Sequence, residues 1–236
     1  MTPRTRVFLL NSPNNPSGAV YRRAELESLA KVCVEKNLFV LSDEIYEKLI
    51  YDGQEHVSIA SLGPEIKRLT VLVNGMSKAY AMTGWRMGYA AAEPDIIKAM
   101  ASLQGHSTSN PTSIVQKASV AALDGPQEAV VKMIREYNQR RDYVVNRLNG
   151  LRGFVTPVPP GAFYVFPNVS GLYGQRVGDT TIRDGDHLAE VLLNQAKVAV
   201  VPGSAFGAPD NLRFSYATSL ERIKEGLDRI EGWLNR

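Results

Sequence analysis

Three short apolar runs, each halted by polar or turn-forming residues, constrain this chain more than any other feature. Val7-Phe8-Leu9-Leu10 stops at Asn11-Ser12-Pro13. Asn37-Leu38-Phe39-Val40-Leu41 stops at Ser42-Asp43-Glu44, and Leu69-Thr70-Val71-Leu72-Val73 stops at Asn74-Gly75. Runs of this length without polar alternation read as strands buried on both faces. Between the first two, from Arg22 to Glu35, Ala24, Leu26, Leu29, Ala30, Val32 and Cys33 fall at helical spacing. Strand–helix–strand alternation predicts an α/β fold: a mainly parallel sheet flanked by helices. Arg86 to Ala92 predicts a fourth strand.

The pattern then turns helical. Helices are predicted over Ile96–Leu103, Thr112–Leu123 and Pro126–Leu148. In the last, Val130, Met133, Ile134, Tyr137, Val144 and Leu148 form an apolar stripe, with arginines on the other face and Asn149-Gly150 as the stop. Beyond it, strands are predicted at Gly161–Phe166, Val198–Val201 and Leu212–Tyr216. A polar loop is expected at Gly171–Gly185, and helices at Asp186–Gln195 and Ser219–Leu234. This second pattern is α+β. The predicted division is residues 1–125, part of a larger α/β domain, and 126–236, a long helix with a smaller α+β domain.

Composition narrows the function. Lys+Arg 27 against Asp+Glu 24 gives a net charge of +3 with no run of like charges, which argues against nucleic acid as a partner. Cys33 is the only cysteine, so no intrachain disulfide forms; it reads as a small buried apolar residue. No apolar run approaches the ~18 residues of a membrane span. The first residues lack the apolar segment of a secretory signal, so a cytoplasmic protein without membrane contact is expected. His56, His106 and His187 are scattered without metal-ligand spacing, and no metal site is expected.

Polar residues cluster after the strands. Asn14-Asn15-Pro16 follows the first, Asp43 and Tyr46 the second, and Ser77-Lys78 the third. Ligands collect beyond the carboxyl ends of parallel strands, so an amide, a carboxylate with a phenol, and a lysine are delivered to one edge. A lysine beside a cation or in an apolar pocket loses its proton more easily and becomes a nucleophile toward carbonyls. Arg86 lies between Gly84 and Gly88, where close backbone approach is possible, and a guanidinium grips phosphate with two bonds. Asp43 has two readings: the cap of a helix starting at Glu44, or the partner of a protonated ring nitrogen. Tyr46 is either a half-buried core residue or a ligand contact. Arg213, between Leu212 and Phe214 in a predicted strand, is either paired internally or open to an anion.

These residues occur together in a pattern that resembles the class I/II pyridoxal-phosphate-dependent aminotransferases of fold type I, most closely the bacterial aspartate aminotransferase-like branch. The motifs are Asn11-Ser12-Pro13-Asn14-Asn15-Pro16-Ser17-Gly18, Ser42-Asp43-Glu44-Ile45-Tyr46, Ser77-Lys78 through Gly88, and Arg213-Phe214-Ser215-Tyr216-Ala217. The resemblance implies pyridoxal 5'-phosphate as cofactor and transfer of an amino group from an amino acid to a 2-oxo acid. It implies that Lys78 forms a Schiff base (aldimine) and shuttles a proton, and that Asp43 pairs with the pyridinium nitrogen. By the same resemblance Tyr46 and Asn15 bond the ring oxygen, Arg86 and Ser77 contact the phosphate, and Arg213 clamps the substrate carboxylate. Many members carry a phosphate-binding serine three residues before the lysine; here that residue is Gly75.

Complete members begin well upstream of Val7, so the resemblance implies a C-terminal fragment of a homodimeric parent. Two other readings stand beside transamination: a C–S lyase of the same cofactor class, and a catalytically silent cofactor-binding or regulator-like module.

Overall fold

The apolar runs become strands because their side chains can leave water only when their backbone amides are paired, and a sheet pairs them. A computed structural model describes all residues, Met1–Arg236. In it, β1 (Val7–Asn11), β2 (Phe39–Asp43) and β3 (Thr70–Gly75) run parallel, and β4 (Gly88–Ala91) pairs antiparallel with β3. The order is β1-β2-β3-β4, so sheet order follows chain order. Asn11 pairs with Asp43, and Asp43 with Val73, which levels the strand ends that carry the polar groups.

Two compact units make up the chain. One comprises Met1–Asn14 and Val20–Lys132; the other comprises Asn15–Ala19 and Met133–Arg236. In the first unit α1 (Arg23–Glu35) crosses between β1 and β2 and turns Leu26, Ala30 and Cys33 inward. They pack with Leu10, Leu38, Val40, Ile59 and Ile66 in one core, Ile66 coming from the short helix α2 (Pro64–Leu69). Cys33 is thus a core residue, and burial pushes its thiol pKa up. On the other face of the same strands Val7, Leu9 and Phe39 are exposed, Leu9 to 65%. The apolar runs lack alternation as a doubly covered sheet requires, yet within these residues only one face of β1 and β2 is packed.

Helices α3 (Pro94–Ser107) and α4 (Ser113–Asp124) complete the first unit. No residue of α3 is buried. The long helix α5 (Glu128–Asn149) begins in this unit and continues in the second. Its stripe buries Val130, Val144 and Leu148 as the spacing predicts. The arginines do not all face outward, however. Arg141 is buried, with Nε and Nη2 donating to Asp142 at 2.9 and 2.7 Å and Nη1 to the Pro159 carbonyl at 3.3 Å.

In the second unit β5 (Tyr164–Val165), β9 (Leu212–Ser215) and β8 (Val201–Pro202) form an antiparallel sheet with β9 central. Gly161–Phe166 thus yields only a two-residue strand. The expected loop at Gly171–Gly185 contains a small hairpin, β6 (Arg176–Val177) and β7 (Thr180–Thr181), anchored by buried Val177 and Ile182. Helix α6 (Gly185–Val191) opens where the Asp184 side chain accepts from the His187 amide, and widens into a π turn at Leu192–Ala196. Helix α7 (Leu220–Leu234) is capped by Ser219, whose hydroxyl accepts from the Arg222 amide. The Asn15–Ala19 segment belongs here for a steric reason. Gly18 has φ +69°, and a Cβ on it would lie 2.5 Å from the Pro159 side chain and 2.6 Å from the Gly161 carbonyl.

Candidate active site

In the first unit the chemistry-bearing groups stand where β2 and β3 end. Asp43 closes β2, and one carboxylate oxygen accepts from the Ile45 amide at 3.1 Å. No helix begins at Glu44. Residues 44–49 make consecutive turns, Glu47 to the Glu44 carbonyl and Leu49 to that of Tyr46. The capping reading of Asp43 is therefore corrected: its side chain caps a tight turn, as aspartate does when its carboxylate reaches the amide two residues on. That turn buries Tyr46 and sets its ring 6.0 Å from the Lys78 ammonium nitrogen, at the reach of a cation–π contact.

Lys78 sits on a turn that leaves β3. Met76 and Ala79 are buried and anchor the turn, while Ser77 and Lys78 between them stay partly accessible. A nucleophile needs this combination of a fixed backbone and a reachable side chain. Gly75 is tightly enclosed: a Cβ there would fall 2.8 Å from the Met87 carbonyl oxygen and 3.0 Å from the Gly88 Cα. The approach of β4 to β3 leaves no room for the serine found at this position in many family members.

Arg86 follows in left-handed backbone, φ 55°, as does Ala81, φ 54°. Non-glycine residues in this region carry roughly 1–3 kcal/mol of strain each, and such residues cluster at ligand sites. Arg86 is exposed; its Nη1 donates to the Thr83 carbonyl at 2.7 Å. It lines a cavity of about 730 Å³ together with Trp85, Gln104, Asn110 and Thr112.

One buried group near these residues was missed from the sequence. Glu44, next to Asp43, accepts from the Ser42 and Ser58 hydroxyls at 2.8 and 2.7 Å and lies 2.7 Å from His56 Nε2. Burial works to raise its pKa, but the bonds from His56, Ser58 and Ser42 and the His56 charge overcome it, so the carboxyl titrates below its ordinary range. Glu47 completes a group of three possible ligand atoms within 4.8 Å. The signal in the sequence is thin: a histidine 12 residues after a glutamate at a strand end.

In the second unit, Arg213 on β9 and Asn15 meet. The only hydrogen bond of the guanidinium runs from Nη1 to the Asn15 side-chain oxygen at 2.8 Å. The carbon of the guanidinium lies 4.6 Å from the Tyr164 ring centre and 5.3 Å from that of Phe206. Its Nε is buried and unpartnered. No carboxylate forms an ion pair with it. Of the two sequence readings, internal pairing is met only by a neutral amide and two rings, and the charge itself has no counter-ion within the unit. Asn15, expected beside a ring oxygen, spends its oxygen on Arg213.

The architecture and these groups together define a class. A model of class I and II aminotransferases matches residues 1–230, and the chain belongs to that family. It is 50% identical over 234 residues to an aspartate aminotransferase of Geobacillus stearothermophilus, covering 99% of this chain and 58% of the relative. An aspartate/prephenate aminotransferase of Cereibacter sphaeroides is 45% identical over 235 residues. Among solved structures, the aspartate aminotransferase of Rhizobium meliloti superposes with TM-score 0.96 at 47% identity, over 100% of this chain and 60% of that one. An aromatic aminotransferase from Pyrococcus horikoshii gives 0.91 at 42% identity, over 100% and 61%. The chain thus spans about 58% of the length of the curated relatives it matches. No helix is long and apolar enough to cross a membrane.

Proposed function

We propose that this chain carries the lysine-bearing part of a pyridoxal 5'-phosphate-dependent aminotransferase, which moves an amino group from an amino acid to a 2-oxo acid. The observation that carries the reading is Lys78, held on the anchored turn after β3 against the Tyr46 ring, in the same unit as the Asp43 carboxylate. A carboxylate, a phenol, an amine and a strained, exposed guanidinium beside a cavity form a donor set that suits a phosphorylated pyridine aldehyde. When bound, that cofactor withdraws electrons from the substrate carbon bonded to nitrogen.

This chain's residues do the rest. Asp43 pairs with the ring nitrogen and keeps it protonated. Tyr46 and Asn15 donate to the ring oxygen, and Arg86, with Ser77 beside the lysine, binds the phosphate. Gly75 gives no phosphate contact. Lys78 would hold the aldehyde group through its amine and would carry the proton that the substrate carbon gives up. Arg213 takes the substrate carboxylate. The names of the relatives make aspartate the first amino donor to test. The whole enzyme is read as a cytoplasmic homodimer, and this chain alone as having little or no turnover, since it spans only part of its relatives' length.

Borohydride trapping tests the assignment without relying on turnover. The chain is incubated with pyridoxal phosphate, reduced and digested, and the modified peptide is located by mass spectrometry. A cofactor mass on Lys78, lost in Lys78→Ala, is the expected result. Equal labelling of Lys78→Ala, or labelling confined to other lysines, would sink it.

A further inference from the structure

We propose that Tyr164 and Phe206 are positioning residues for Arg213, which they orient and dry so that its outer nitrogens take a carboxylate. This rests on the reading of Arg213 as the carboxylate site. An acid paired with an arginine fixes the guanidinium plane and consumes its charge. Here no acid pairs with it. The plane is set by two rings within stacking distance and by one neutral amide, Asn15. Aromatic stacking restrains a guanidinium without neutralising it, so the full charge remains for a ligand.

The donor inventory says which edge is offered. Nη1 is engaged by Asn15, and Nε is buried without a partner. Nη2 has no protein partner and is not among the buried unpartnered atoms, so an incoming anion meets the terminal nitrogens.

Both rings are built into place. Tyr164 lies on β5, paired with Ser215 two residues from Arg213, and is buried. Phe206 ends the 3-10 turn Gly203–Phe206 between β8 and β9. That turn is tight: a Cβ on Gly203 would lie 2.1 Å from the Ala208 carbonyl oxygen and 2.5 Å from that of Asn211. Gly207 then exits at φ +74°, and Phe166 meets the Phe206 ring edge-on at 6.1 Å. A turn so constrained, carrying one large ring toward a cation that lacks a counter-ion, is a device for that cation.

The test uses the whole chain, isotopically labelled, with succinate as probe. Nuclear magnetic resonance follows the Arg213 Nε–H signal, identified by its loss in Arg213→Lys. The unaltered chain is expected to show a ring-shifted signal that moves saturably with succinate. Phe206→Leu should return the signal toward the position of a solvated arginine and weaken binding by about tenfold, in the range of one desolvated cation–π contact. Phe206→Tyr and Tyr164→Phe, which keep the rings, should bind within about twofold of the unaltered chain on the same grounds. Each variant's amide spectrum verifies folding, and Tyr164→Leu replaces Phe206→Leu if the latter unfolds. Succinate binding that Phe206→Leu or its substitute leaves unchanged overturns the positioning role alone. If the unaltered chain shows no saturable binding, the carboxylate reading of Arg213 falls and this proposal with it.

Discussion

Helices α3 and α7 are close in length and both amphipathic, yet they meet opposite fates. From α7, Ile223, Leu227, Ile230, Trp233 and Leu234 are buried in the second unit, and the Trp233 indole donates to the Gln195 side chain at 2.9 Å. From α3 nothing is buried, and Leu103 is 75% exposed; on neighbouring α4, Ile114 is 74% exposed. Local sequence decides that both helices form. Burial is decided by what the rest of the protein lays against them. The second unit buries the apolar face of α7, though Val155, Val158 and Leu193 elsewhere in it are exposed, whereas the first unit leaves open the apolar residues of α3 and one face of β1 and β2. On β1 and β2 the open residues adjoin, Val7 standing beside Phe39 across the sheet, and adjoining exposed apolar residues are where a contact surface is to be sought.

The strongest way to break that contrast is to cut into the satisfied side. Trp233→Ala removes a fully buried indole and leaves Gln195 without its donor. It should destabilise the second unit by about 3–5 kcal/mol, read from chemical denaturation. A loss below about 1 kcal/mol would mean that α7 is no better packed than α3.

A smaller loss is expected where the first unit does have a tight interior. Glu44→Gln removes the charge from a buried carboxylate bonded by Ser42, Ser58 and His56, and should cost roughly 2–3 kcal/mol near neutral pH. The pH dependence has a definite sign. Because the folded-state pKa is lowered, the stabilisation is fully present above the ordinary glutamate range and disappears as the pH falls through the lowered value. Denaturation at a series of acid pH values should therefore show the gap between the two proteins closing on acidification. A gap that stays constant would show that the carboxylate's charge is not what stabilises this turn.

Gly75→Ser restores the residue that many family members carry and tests whether β4 can move. The clash is with backbone on both counts, so no side-chain rotation relieves it. A loss of about 1–3 kcal/mol is expected, with faster amide exchange along β4. A neutral substitution would mean that β3 and β4 separate readily at this point.

How much of this was legible in the sequence depends on the range of the interaction that decides it. The strands and the helix at Arg23–Glu35 were readable because their signal is local and periodic. So was the delivery of Asp43, Tyr46 and Lys78 to strand ends, since each lies within a few residues of an apolar run. Arg141 was misplaced because a helix wheel cannot show that the Pro159 carbonyl, 18 residues away, waits for it. The Glu44–His56 pair was missed because the chain between them is irregular. The Asn15–Arg213 bond spans 198 residues, beyond any pattern within one segment. Helix α3 fails in the other direction: the helix is legible in its sequence, but nothing in the unit buries any of its residues.

The smallest predicted effect bears most directly on the contrast. Leu103→Ala deletes an apolar side chain that the first unit leaves in water. With no packing to lose, and with alanine the better helix former, the change in stability should stay within about 0.5 kcal/mol. The measurement is denaturation at two protein concentrations well apart. If Leu103 is open in solution, stability is the same at both and the substitution is silent at both. A loss of about 2 kcal/mol or more, as from a core leucine, would show that the side chain is covered. If that loss also grew with protein concentration, the cover would be a second copy of the chain, because only association makes stability depend on concentration. Either result would move α3 to the satisfied side and leave α4, with Ile114, and the face of β1 and β2 at Val7, Leu9 and Phe39 as the open apolar surface of the first unit.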